Sequence, residues 1–220
     1  PNHLTHEPLN SVLNDQEVEQ VEGRAIIVKK LKPLALEAIV RGYIIGSGWK
    51  DYQNTGKMCG ITLPKNLKLA QKLPDVMFTP SSKAAVGEHD ENIDFATTVA
   101  ILGEDMAQQV KQASLALYRF AAEFALERGI IIADTKFEFG LDENNTLTLM
   151  DEVLTPDSSR FWSAKDYQVG ESPQSFDKQI VRDYLETLDW NKAPPAPKLP
   201  QNIIEKTANK YQQVQQLLMQ

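Results

Sequence analysis

The chain of 220 residues has a single cysteine, Cys59, and only three histidines. A lone cysteine excludes an intramolecular disulfide, and without a Cys/His cluster no structural zinc site is expected. No apolar run approaches the roughly 18–20 residues of a membrane span. The opening Pro1-Asn2-His3-Leu4 has no basic segment followed by an apolar one, so no secretory signal is expected. Cytoplasm is the default compartment. Basic residues are also missing locally: the first 23 residues carry Glu7, Asp15, Glu17, Glu19 and Glu22 but no Lys or Arg.

Hydrophobic residues make up 42% of the chain and charged residues 24%, enough apolar material for a substantial core. A net charge of −7 argues against general nucleic-acid binding. Its distribution is uneven, however. Residues 24–57 hold Arg24, Lys29, Lys30, Lys32, Arg41, Lys50 and Lys57 against Glu37 and Asp51. A basic segment in an acidic protein is consistent with a focused site for a small anion, or with a solvated basic face.

The most informative stretch runs from Ile130 to Gly140. It begins as the apolar run Ile130-Ile131-Ile132-Ala133, then alternates Asp134, Lys136 and Glu138 with Thr135, Phe137 and Phe139. On a strand, alternate side chains share a face, with neighbours roughly 6.5–7 Å apart. Two carboxylates and an ammonium therefore point one way and the aromatics the other. That suits an anionic substrate held through a divalent cation. The same alternation also marks the wet face of an ordinary antiparallel sheet. The buried run before it and the acidic pair Asp151-Glu152 after a turn favour a site.

Elsewhere the pattern predicts a strand at Arg24–Lys30. Residues 34–43 are apolar, with Glu37 and Arg41 sharing a face of either a helix or a strand. Gly46-Ser47-Gly48 then opens a long irregular region reaching Asn92. A helix is expected over 102–128, its core stripe formed by Leu102, Met106, Val110, Ala113, Leu117, Phe120 and Phe124, with Gly129 ending it. Residues 141–145 form a turn and Thr146–Val153 a return strand. Ser175 is a candidate N-cap, and a capping box at Asn202 and Glu205 opens a last helix. Between these two helices, residues 194–200 form a proline-rich spacer. Packing roles are expected for Trp49 and Tyr52, and no special role for His3 or His6.

The segment Leu36-Glu37-Ala38-Ile39-Val40-Arg41, followed by Gly46-Ser47-Gly48, places an acid, a base and a glycine-rich loop together. Alone it is a weak phosphate-binding signal. Taken with Asp134-Thr135-Lys136-Phe137-Glu138-Phe139-Gly140, it resembles the SAICAR synthetase family. Ala35 and Ile45 depart from the usual pattern, but at positions that supply no charge. Further stretches carry the resemblance: Phe78–Lys83, Gly87–Ile93, Asp151-Glu152 with Thr155–Arg160, and Ser175–Lys178. It covers the chain from about Arg24 onward and looks like the longer, yeast-type branch.

The resemblance implies an α+β, two-lobed ATP-binding fold. It implies a ligase that joins L-aspartate to the carboxylate of carboxyaminoimidazole ribonucleotide, with Mg²⁺ as cofactor and ATP as co-substrate. By motif, Glu138 and Asp151 would hold Mg²⁺ on the ATP phosphates. Glu37 and Asp134 would serve the metal and the carboxylate end of the ribonucleotide, with Lys136 near the phosphoryl group in transit. Arg41, Ser47 and Arg160 would bind the ribonucleotide phosphate, and Lys32 to Leu34 the adenine. Lys83, His89, Asp157 and Lys178 are further substrate-side candidates. The implied partners are small molecules only, with no nucleic acid, no membrane and a monomeric chain.

The family begins with a lobe whose glycine-rich, lysine-containing loop covers the ATP phosphates. Residues 1–33 are expected to be the tail of that lobe and its hinge, and residues 34–220 the C-terminal catalytic lobe. A molecule truly starting at Pro1 would be expected to bind ATP badly. Two alternatives stand beside the ligase. An inositol-polyphosphate-kinase-like phosphotransferase shares the Asp-x-Lys motif but typically has Gly where this chain has Glu138. A non-catalytic nucleotide-binding module would fit if the leading lobe were absent.

Overall fold

The computed structural model describes residues 1–83, 91–176, 178–191 and 193–220. Its centre is strand β7 (Ile130–Leu141), long enough to pair with four partners. On one side it pairs with β2 (Leu36–Tyr43), placing Ala38, Ile39, Val40 and Arg41 opposite Phe137, Lys136, Thr135 and Asp134. On the other it pairs with β8 (Leu147–Met150) and β9 (Ser159–Ser163). β1 (Lys32–Pro33) pairs with its end. β5 (Lys72–Phe78) and β6 (Ser81–Ser82) extend the sheet from β2, and every ladder between these strands is antiparallel. A separate hairpin joins β3 (Lys57–Met58) to β4 (Ile61–Thr62).

Helices cover one face of the sheet. α3 (Phe95–Leu102) is capped by Asp94, whose carboxylate accepts from the Thr97 amide. α4 (Glu104–Leu126) lies against β2, β5 and β7. The principal core, between α4 and the sheet, includes Val40, Val110, Tyr118, Ile132, Phe137 and Phe161. Each fully buried side chain of this size stabilises the fold by about 1.5–3 kcal/mol. α6 (Gln201–Leu218) adds Val214 to the same core. Among the described residues, no helix is long and apolar enough to cross a membrane. The α+β expectation holds.

The register in β7 shifts between Ile132 and Asp134, a bulge at Ala133. Ile130 and Ile132 belong to the core with Phe137 and Phe139, whereas Ile131 and Ala133 join a second cluster with Trp162. The bulge therefore reverses the alternation. Before it the even-numbered side chains enter the core; after it they leave it, and Asp134, Lys136 and Glu138 turn together to the opposite face.

Several local expectations are corrected. Arg24–Lys30 forms no strand: an isolated bridge from Leu4 to Val28 and a few single hydrogen bonds, such as the Thr5 hydroxyl to the Ile27 carbonyl, do not make a continuous ladder. The region after Gly46 is less irregular than expected: among the described residues it holds helix α2 (Gly46–Thr55), the β3–β4 hairpin, β5 and β6, joined by loops. On α4 the buried stripe is Ala107, Val110, Ser114, Tyr118, Ala121 and Ala125; of the expected residues Val110 belongs to it, Met106, Ala113 and Leu117 pack half-buried against the same core, and Phe120 is 75% exposed. Small residues let the helix approach the sheet, and Tyr118 takes a core place because its hydroxyl donates to the Ile132 carbonyl at 2.6 Å. Phe124 instead lies under the Arg128 guanidinium, 3.5 Å from the ring centroid.

α5 (Gln179–Glu186) begins after Lys178, which takes the N-cap position, while Ser175 bridges Trp162 with its hydroxyl donating to the Phe161 carbonyl. α6 starts at Gln201 with Pro200 at the cap, so Asn202 already lies inside its first turn. A true capping box joins Asn14 and Glu17 at the start of α1 (Asp15–Val21).

Candidate functional site

The face of the sheet turned away from α4 carries a polar cleft of about 360 Å³. β2 supplies Glu37 and Arg41, β7 supplies Asp134 and Lys136, and β9 supplies Arg160. Asp134 stands opposite Arg41 on one side and Arg160 on the other. Its Oδ2 accepts from Arg41 Nη1 at 2.6 Å and from Arg160 Nη1 at 2.5 Å. Asp134 and Arg41 are both buried, while Arg160 reaches partly into solvent. Burial pulls the Arg41 guanidinium below its usual value, and the Asp134 carboxylate opposes that pull. One carboxylate thus holds two guanidiniums side by side, leaving the pair in excess of positive charge.

Ser47 closes the same end. Arg41 Nη2 donates to Ser47 Oγ at 3.0 Å, and Ser47 lies in the first turn of α2, where no side chain caps the helix. Gly46 adopts φ 60°, and a Cβ there would lie 2.6 Å from Arg160 Nη2. The glycine therefore permits both the left-handed turn into α2 and the approach of Arg160. Two guanidiniums, a hydroxyl and an uncapped helix N-terminus form an anion grip suited to a phosphate.

The other end is a chain of alternating charges. Lys136 Nζ donates to Glu37 Oε1 at 2.9 Å and to Glu138 Oε1 at 3.2 Å, and Lys83 Nζ donates to Glu138 Oε2 at 2.5 Å. Partial burial alone would lower the Lys136 ammonium; Glu37 and Glu138 outweigh it and hold it well above its usual value. Burial would likewise raise Glu138, but Lys83 and Lys136 leave it below the usual carboxylate range. Both groups are charged at neutral pH.

Other expected residues divide. Asp157 and Lys178 line the cleft, and Asp157 Oδ1 accepts from Tyr211 at 2.8 Å. Asp151 does not line it. With φ 61° the chain leaves the β8 ladder there, and Asp151 borders a separate cavity of about 320 Å³ with Leu4, Ile26, Leu149 and Val153. The neighbouring Glu152 lines the cleft instead. Leu34 is buried and its amide donates to the Phe139 carbonyl at 2.9 Å, so it offers no amide to adenine; Lys32 is exposed on β1. His89 lies outside the described residues, as do most of its stretch and Asp177.

The four carboxylates expected around a metal do not converge. Asp134 is a counter-ion to two arginines, and among the described residues no group of three or more His, Cys, Asp or Glu side chains could hold a metal ion. Mg²⁺ requires less, because it commonly takes one or two carboxylates together with substrate phosphates. Glu138 has the chemistry for that role: its charged partners are two lysine ammoniums on flexible stems, which a cation could replace. Sequence reasoning passed over Arg182 in the cleft wall and Thr79 behind Arg41. Arg182 follows Lys178 at helical spacing, a signal that was present. Thr79 lies in the Phe78–Lys83 stretch, but only the fold sets it against Arg41.

The family model for SAICAR synthetase matches residues 1–197. The chain is 60% identical over 219 residues to a phosphoribosylaminoimidazole-succinocarboxamide synthase of Methylococcus capsulatus, covering 99% of this chain and 74% of that one. It is 59% identical over 220 residues to the synthase of Neisseria meningitidis serogroup B, of which it covers 77%. Among solved structures it resembles the SAICAR synthase of Saccharomyces cerevisiae complexed with SAICAR. The TM-score is 0.86 at 43% identity, with 99% of this chain and 74% of that chain covered. A type-2 SAICAR synthetase in complex with ADP matches with a TM-score of 0.65 at 25% identity, over 90% of this chain and 68% of that one. The chain belongs to the SAICAR synthetase family.

Proposed function

We propose that this chain carries the ribonucleotide-binding and catalytic part of an ATP-dependent ligase of purine biosynthesis. It joins L-aspartate to the carboxylate of carboxyaminoimidazole ribonucleotide, giving SAICAR, ADP and phosphate. The observation that carries the reading is the 59–60% identity, along essentially the whole chain, to proteins named phosphoribosylaminoimidazole-succinocarboxamide synthase. As a cytoplasmic enzyme it would meet only small-molecule partners.

In this reading Arg41, Ser47 and Arg160 hold the 5′-phosphate, and the α2 N-terminus adds its dipole. That places the imidazole carboxylate toward Lys136 and Glu37. A carboxylate oxygen attacks the γ-phosphoryl group of ATP, the bond to ADP breaks, and an acyl phosphate forms. Lys136 sits where negative charge builds on the moving phosphoryl oxygens and stabilises it. The aspartate amine then attacks the acyl carbon and expels phosphate. Lys178 and Asp157 contact the substrates from the cleft walls, and Lys83 from beside Glu138. Glu138 would hold Mg²⁺, which when bound neutralises the ATP phosphates. Asp151 would join Glu138 in holding Mg²⁺ from the ATP side, beside a cavity walled by Leu4, Ile26, Leu149 and Val153, and the exposed Lys32 on β1 would lie near adenine. Residues 1–33 then belong to the tail and hinge of an ATP-binding lobe, and residues 34–220 to the catalytic lobe.

The test is ADP release by the full-length protein with each substrate omitted in turn. Release that requires both L-aspartate and the imidazole ribonucleotide is the expected result. Release driven by an inositol phosphate would replace this reading with the kinase, and binding without release would replace it with the nucleotide-binding module.

A further inference from the structure

Arg41 is held on three sides. Its Nη1 meets Asp134 and its Nη2 meets Ser47, both already placed in the cleft. The third side, Nε, donates to Thr79 Oγ1 at 3.1 Å. Thr79 is fully buried and lies just past the end of β5. Its own position leaves little freedom: its amide donates to the Ile39 carbonyl at 2.8 Å, and its hydroxyl leans on the same carbonyl at 3.4 Å. With its one proton directed to Ile39, the hydroxyl presents a lone pair to Arg41.

The consequence is geometric. A guanidinium is a rigid plane whose N–H groups point in set directions. Asp134 alone could hold Arg41 while the plane swung about the Nη1 contact. A second acceptor on Nε, away from the Nη1 contact, fixes the plane and therefore the direction in which the remaining N–H groups face the cleft. We infer that Thr79 is a positioning residue for substrate: from the neighbouring strand end, on the same face of the sheet, it sets the orientation of the Arg41 guanidinium toward the ribonucleotide phosphate. It touches no reacting atom and acts through Arg41. The inference rests on the proposed phosphate role of Arg41.

The experiment compares Thr79→Val, Thr79→Ser and Arg41→Met in the full-length enzyme. Steady-state kinetics are combined with equilibrium binding of the imidazole ribonucleotide and of its nucleoside, which lacks the phosphate. Thr79→Val keeps the shape and removes the acceptor. It should raise the ribonucleotide KM by about tenfold, the size of one hydrogen bond to a charged group. The KM for ATP should stay within about twofold, and nucleoside affinity should not change. Thr79→Ser restores the acceptor and should recover most of the loss. Thermal unfolding of each variant separates general destabilisation from this effect.

If Thr79→Val weakens nucleotide and nucleoside equally, or raises both KM values together, the role is structural and the inference is wrong. An unchanged ribonucleotide KM overturns it as well. If Arg41→Met itself leaves the preference for nucleotide over nucleoside intact, the phosphate role of Arg41 fails first, and the inference falls with it. Should Thr79→Val not fold, failure of Thr79→Ser to preserve the nucleotide preference would refute it.

Discussion

Arg41 and Asp134, 93 residues apart in sequence, meet at 2.6 Å across two paired strands and are both buried. Arg160 shares the same carboxylate oxygen from the third strand. Removing this charge should therefore be costly in a way that removing an exposed ion pair is not. Asp134→Asn is expected to destabilise the fold by about 3 kcal/mol, since it leaves a buried guanidinium without its counter-ion. Urea unfolding of the two proteins measures it. A change below about 1 kcal/mol would show that Arg160 and Arg41 relax apart without penalty.

Glu138 is the second site carboxylate with a separable role. Glu138→Gln keeps size and removes the charge that Lys83 and Lys136 share. Loss of turnover by roughly tenfold to a hundredfold is expected, with a steeper requirement for Mg²⁺ and unfolding stability kept within about 1 kcal/mol. Activity titrated against Mg²⁺ reads this out. An active Glu138→Gln enzyme with unchanged Mg²⁺ dependence would overturn the metal assignment.

The same charge chain sets a pH signature. Glu138 is held below the usual carboxylate range, so its contribution to stability is present above the unfolded value of about 4.3 and fades as pH falls through the lower folded one. Lys136 is held above its usual range. Its contribution is present below the unfolded value of about 10.4 and fades as pH rises through the higher folded one. Thermal unfolding followed from acid to alkaline pH should show both arms in the unaltered protein, and Lys136→Met should flatten the alkaline arm. An unchanged alkaline arm would mean that Lys136 is not coupled to its two carboxylates in the folded state.

Gly42 offers a test of the packing behind the site. A Cβ there would lie 2.2 Å from the Tyr118 hydroxyl oxygen. Gly42→Ala should cost about 1–3 kcal/mol by forcing Tyr118 off the Ile132 carbonyl. In the Tyr118→Phe background the same change should cost less, because the clashing atom is gone. Equal costs in both backgrounds, measured by denaturant unfolding, would place the strain elsewhere.

Much of the site was legible in the chain itself. Two-residue alternation of Asp134, Lys136 and Glu138 already dictates that they share a face, because side-chain direction in a strand is a local property of the backbone. Glu37 and Arg41 were ambiguous, since four residues is a same-face spacing for a helix and for a strand alike. Only pairing with β7 resolved them as strand.

Tertiary structure alone decided the rest. The bulge at Ala133 lets an unbroken apolar run serve two clusters and then turn its charges into a cleft, and nothing in Ile-Ile-Ile-Ala announces it. The left-handed turn at Asp151 directs Glu152, not Asp151, to the cleft. Phe120 looks like core by hydrophobicity, yet close approach of α4 to the sheet selects the alanines beside it. Thr79 reads as an ordinary threonine until folding sets it behind Arg41. Local periodicity determines which way a side chain points; what it points at depends on ladders and packing between segments far apart in sequence, which no local pattern encodes.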